Sequence, residues 1–132
     1  MKSPVPFIAR ILLCFVFIVA GIGKIMNFAG SQQYMSAYGV PATGVLLVIA
    51  ILIEILCGLS ILLGFKARWG SLILAVYMVI ITLIFHTKFS DPMMFIMFQK
   101  NLAIIGGLLL IFHFGPGPIS FDEKPQKAPE MA

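Results

Sequence analysis

Residues Phe7 to Phe28 read FIARILLCFVFIVAGIGKIMNF. The run is long enough to cross a bilayer, whose hydrocarbon core takes about 20 helical residues. It nevertheless carries Arg10 near its start and Lys24 near its end. Steps of four and three from Arg10 reach Cys14, Phe17, Gly21 and Lys24. Such steps keep side chains on one face of an α-helix. Charge inside a span is tolerated where it is paired or solvated, so this face is expected to look onto protein and not onto lipid.

The rest of the chain must supply what that face meets. Of 132 residues, 61% are hydrophobic and 11% are charged, and the mean hydropathy is +1.08. Soluble domains run about 45–50% apolar and about 25% charged. The expected class is all-α, an integral membrane four-helix bundle with helices over about 6–27, 43–63, 69–86 and either 92–114 or 98–114. These form one domain over residues 1–122, followed by a flexible, proline-rich tail at 123–132. A signal peptide is the competing reading of the first run, because Ile11 to Gly23 has the length of a signal core. Lys24 stands where cleavage would fall, which favours a retained span.

Between the first two spans, residues 29–41 read AGSQQYMSAYGVP. With Tyr34 and Tyr38 one turn apart, they fit either a short interfacial helix or a plain loop. Asp91-Pro92 is a helix start. Gly115-Pro116-Gly117-Pro118 is a stop. Four crossings put both termini on one side, with Lys2, Arg10, Lys66, Arg68, Lys124 and Lys127. Lys24, Lys88 and Lys100 fall on the other. The positive-inside bias then places both termini in the cytoplasm. The scattered basic residues exclude a nucleic-acid surface and suit the lipid bilayer and its headgroups.

Glu54 lies at the centre of the second span. An ionised carboxylate there costs about 3 kcal/mol on insertion scales, so it is expected to be paired, protonated or facing water. By helical rise, Arg10 lies roughly 10 Å nearer the terminal side and Lys24 roughly 10 Å farther from it. Either cation stays open as its partner. Lys24, Lys100 and His86 all fall near the far face. With Glu54 and Asn101 they form a hypothetical site for a carbonyl or an anionic headgroup, such as a quinone or a lipid phosphate. Snorkelling of each cation to its interface is the plainer alternative. His86 and His113 end antiparallel neighbours in opposite leaflets, so one haem iron cannot take both. No zinc spacing and no metal site is expected. Cys14 and Cys57 belong to no motif and are expected to be core residues more than a redox pair.

Four segments taken together resemble the DoxX family of small four-helix bacterial membrane proteins. They are RILLCFVFIVAGIGKI, EILCGLSILLGFKAR, KNLAIIGGLLLI and the exit GPGPISFD, and the likeness spans roughly residues 8–122. The resemblance implies a bacterial inner-membrane protein. It draws in the exit residues Ser120, at the membrane surface, and Asp122, as the neutralising partner of Arg10 or Arg68. It also implies a link to redox systems, since the family takes its name from a subunit of a thiosulfate:quinone oxidoreductase. The functional expectation is a subunit or accessory of a quinone-linked membrane complex with a protein partner. It would be a non-autonomous oxidoreductase subunit at most, without an intrinsic cofactor but able to bind a quinone. The alternative is a non-catalytic adaptor for proteins or lipids. A small transporter ranks last, because paired broken helices are missing.

Overall fold

The computed structural model describes residues 3–123. Its helices are α1 (Val5–Met26), α2 (Phe28–Ala37), α3 (Thr43–Leu63), α4 (Ala67–Phe85) and α5 (Pro92–Phe114). All but α2 are long and apolar enough to cross a membrane. Among the described residues the fold is all helical, a four-span bundle. Helix α1 begins at the near side of the bundle and ends at the far side. The fourth span is one continuous helix. Asp91 caps it through Met93 N–H, and Pro92 opens its first turn. Residues 28–37 are helical, which settles the choice left open for that stretch. The expected tail lies outside the described residues apart from Glu123.

The stripe on α1 faces inward. Arg10, Cys14, Phe17 and Gly21 are buried, and Lys24 is 30% exposed. Helix α1 packs on α3, α3 on α4, and α4 on α5. The shared core holds Cys14, Phe17, Ile61, Leu74, Ala75, Met78 and Leu108. Large apolar side chains such as Leu12, Phe15, Leu83 and Leu110 point outward. That is the pattern of a bundle solvated by lipid, in which tight packing and buried polar contacts hold the helices together.

Glycine sets the approach of α1 to α3. A Cβ at Gly21 would stand 2.6 Å from Ile55 Cγ1, and one at Gly58 would stand 3.0 Å from Ile18 Cγ1. The smooth second span expected from its composition contains one π-helical turn, Ile53–Cys57. Ile55 of that turn occupies the space that Gly21 leaves free. Turns of this kind are frequent at functional sites, and this one carries Glu54.

The near side is closed by Arg10, which is 1% exposed. Its Nη1 donates to the carbonyls of Ile61 and Leu62, at 3.0 and 2.9 Å. Its Nη2 donates to those of Pro118 and Ile119. The first two belong to the last turn of α3, where carbonyls have acceptor capacity to spare (Ile61 O also takes Gly64 N–H at 3.2 Å) and a cation meets the negative end of the helix dipole. Gly64 turns the chain here at φ 69°, and any side chain on it would collide with Ser120. The exit segment adds Phe121 N–H to Leu63 O and Asp122 N–H to Gly64 O.

Asp122 makes no direct salt bridge to Arg10 or Arg68 among the described residues, although its charge acts on Arg10 from a distance. Its carboxylate accepts from the backbone N–H groups of Lys66 and Ala67, at 2.7 and 2.8 Å, and so caps α4. Backbone donors stand nearer than either guanidinium, and an acid at a helix start is favoured by the dipole. Ser120 turns inward, donating to Gly117 O at 2.7 Å.

Arg10→Lys keeps the charge but replaces a planar fork with one ammonium that cannot hold two segments at once. The expected loss is about 2–3 kcal/mol, read by thermal unfolding in detergent, with faster proteolysis at residues 115–122. A variant that melts and resists protease like the original chain would refute this role for Arg10.

Candidate functional site

The far half of the bundle is organised by a second polar contact. Lys24, in the last turn of α1, reaches Glu54 Oε1 at 2.8 Å and Oε2 at 3.0 Å. Tyr77 of α4 donates its hydroxyl to Oε1 at 2.6 Å. The glycine contact at Gly21 brings the two helices close enough for this reach. The partner of Glu54 is therefore Lys24. Arg10 is engaged at the other end of α1.

Glu54 is 3% exposed and Lys24 is 30% exposed. That difference defines the site. The carboxylate is sealed, whereas the ammonium has an open side. It opens into a cavity of about 690 Å³ bounded by α1, α2, α3 and α4. Lys24 and Tyr77 contribute its polar surface at the inner end. Leu47, Ile53 and Ile81 form apolar walls, and Tyr34, Phe85 and His86 stand at the outer end. Leu46, Ile49, Ile80 and Ile84 also line it while remaining exposed on the bundle surface. The cavity therefore meets the lipid side of the bundle between α3 and α4.

Helix α2 covers the outer end. Tyr34 stacks on Phe85 at 5.4 Å, Tyr38 meets the same ring edge-on at 5.0 Å, and the two tyrosines are 5.1 Å apart. Offset and edge-on arrangements suit aromatic quadrupoles. Burial, helped by Tyr38, pushes the Tyr34 hydroxyl up to about 12, so it stays protonated. Gln32 ties α2 to the start of α3 through Thr43 at 3.4 Å. His86 ends α4, and its Nδ1 is buried with no hydrogen-bond partner. Burial also lowers its pKa below the ordinary 6.5.

The five expected site residues therefore separate. Lys24, Glu54 and His86 belong to one region. Lys100 is exposed on α5 and lines no part of this cavity. Asn101 is buried on the same helix and donates to Thr82 Oγ1 of α4 at 3.0 Å. That contact fixes α5 against α4, the work expected of interhelical polar residues. Tyr77 was not among the expected residues. Its signal was position: interfacial belts place tyrosine near span ends, whereas Tyr77 stands mid-span in Ala67–Phe85.

A second concavity, about 680 Å³, lies at the near side among Lys66, Arg68, Trp69, Phe114, Asp122 and Glu123. It mixes charges of both signs with exposed aromatic rings, as a headgroup-level rim does. Both thiols are free, and Cys14 donates back to Ile11 O at 3.3 Å.

Lys24→Met strands an ionised carboxylate in the bundle and is expected to cost about 3–5 kcal/mol. Lys24→Met with Glu54→Gln removes both charges and should recover most of that loss. A double-mutant cycle on thermal or denaturant unfolding in detergent measures the coupling. Additive losses would show that the two groups act independently.

The family model described as DoxX matches residues 5–87, from α1 through the end of α4. The inner membrane protein YqjF of Escherichia coli is 46% identical over 115 residues, covering 87% of each chain. The inner membrane protein YphA of the same organism is 35% identical over 123 residues, covering 89% of this chain and 87% of its own. A Surfeit locus protein 4 homolog of Drosophila melanogaster is 32% identical over 74 residues, covering 51% of this chain and 27% of its own. No solved structure matches.

Proposed function

The chain belongs to the DoxX family of multi-pass inner-membrane proteins, and from that premise we propose that it is an accessory of a quinone-linked redox complex. Its part is to hold the quinone headgroup beside Lys24. The observation that carries this reading is the half-open ion pair: an ammonium fixed by Glu54 yet 30% exposed, at the polar end of an apolar cavity. The cavity volume of about 690 Å³ lies within the range of about 300–1,000 Å³ common for small-molecule sites. Apolar walls with a few fixed polar groups are the usual composition of such sites.

The fit to a quinone rests on each part in turn. Lys24 has donors left over after serving two carboxylate oxygens. Glu54, itself fixed by the Tyr77 hydroxyl, holds the ammonium in place, so less ordering is needed when a carbonyl arrives. The exposed isoleucines between α3 and α4 offer a hydrophobic route for a tail that stays in the bilayer. A bound quinone would supply the two-electron chemistry, while this chain supplies position and exclusion of water. Electrons would then come from a partner protein. The proposal includes the orientation expected from the basic residues, with both termini in the cytoplasm.

The test is an organic extract of the purified full chain, compared with the same extract from the Lys24→Met/Glu54→Gln variant. The expected outcome is quinone at a substantial fraction of one per chain in the first and a several-fold loss in the second. Equal quinone in both, or none in either, would overturn the assignment of the cavity.

A further inference from the structure

We infer that this cavity selects an uncharged headgroup, held at one end by Lys24 and at the other by His86, and rejects anions carried on similar apolar tails. The inference rests on the pocket reading above and adds a second recognition residue and a charge rule to it.

The charge rule follows from the groups that face the cavity or stand just behind it. From α1 there is Lys24, from α3 Glu54, from α4 Tyr77 and from α2 Tyr34. Lys24 is already opposed by Glu54 at 2.8 and 3.0 Å, so the pair contributes no net charge. The tyrosines are neutral donors. An incoming phosphate or carboxylate would leave one charge uncompensated in a low-dielectric space, where unpaired charge is costly. A neutral carbonyl needs only a hydrogen bond, and the open side of Lys24 offers one.

His86 supplies the second point. Buried polar atoms almost always have partners, and an exception calls for a cause. Nδ1 of His86 is such an exception: it is covered from water, while the residue lines the cavity at the end away from Glu54, so a turn of the ring is what presents it to a ligand. Burial keeps the imidazole neutral around pH 7. A neutral imidazole carries one donor and one acceptor, so it serves an oxygen without adding charge. Stabilisation of the ring by Tyr34 or Tyr38 is not a substitute, since Tyr34 stacks on Phe85 and Tyr38 meets the same ring edge-on.

Calorimetric titration of the purified full chain in neutral detergent tests the inference. The probes are a benzoquinone bearing a decyl tail and decyl phosphate. The original chain is expected to bind the quinone at least about tenfold more tightly than the phosphate. His86→Leu should weaken quinone binding by about tenfold and leave the phosphate unchanged, with His86→Gln restoring part of the loss. Glu54→Gln should raise phosphate affinity by freeing the charge of Lys24. If that variant does not fold, the His86 arm decides, because His86 lies beyond the end of α4. Equal binding of both probes by the original chain, or no effect of His86→Leu on quinone binding, overturns the inference while the pocket stands. Binding of neither probe overturns the inference and the pocket together.

Discussion

The ion pair between Lys24 and Glu54 is the constraint on which the far half of the molecule depends. A carboxylate at mid-span is unfavourable alone, and Lys24 and Tyr77 together make it tolerable. Meeting that need forces α1, α3 and α4 to converge at one depth. Gly21 permits the convergence by leaving room for Ile55. The π-helical turn of α3 occurs where the carboxylate must be presented. Packing, backbone irregularity and charge at this point are therefore one arrangement with a common cause.

Arg10 does comparable work at the near side by a different chemistry. Its hydrogen bonds go to backbone carbonyls. Those carbonyls come from the end of α3 and from the exit segment, so one side chain of α1 fastens the second span and the chain's departure from the fourth. Asp122 then caps α4 from that same segment. The near side is in this way tied together by hydrogen bonds between distant parts of the chain. The far side remains open beside Lys24. Each half thus has its own polar anchor, Arg10 on backbone carbonyls and Lys24 on Glu54.

Relations to other proteins constrain the fold more than the chemistry. The match over residues 5–87 covers both members of the ion pair and Tyr77, along with His86. It ends before Asn101 and the exit segment, which here serve helix packing and closure. The functional reading therefore stands on the cavity and its polar ends, and its evidence is chemical.

Composition and spacing determined the class, the four spans and the inward face of α1. These are local properties: an apolar run of bilayer length must be a helix, and a stripe of charge along it must avoid lipid. The same reasoning identified Glu54 as a residue in need of a partner. Tertiary structure alone decided which partner. Arg10 and Lys24 stand at similar distances along the helix axis from Glu54, and the choice turned on the α1–α3 crossing at Gly21 and on carbonyls that captured Arg10 first. It also separated Lys100 from His86, which stand on α5 and at the end of α4 and of which only His86 lines the cavity. Depth is written in the order of residues, whereas rotation and crossing are set by how side chains from different helices fit together.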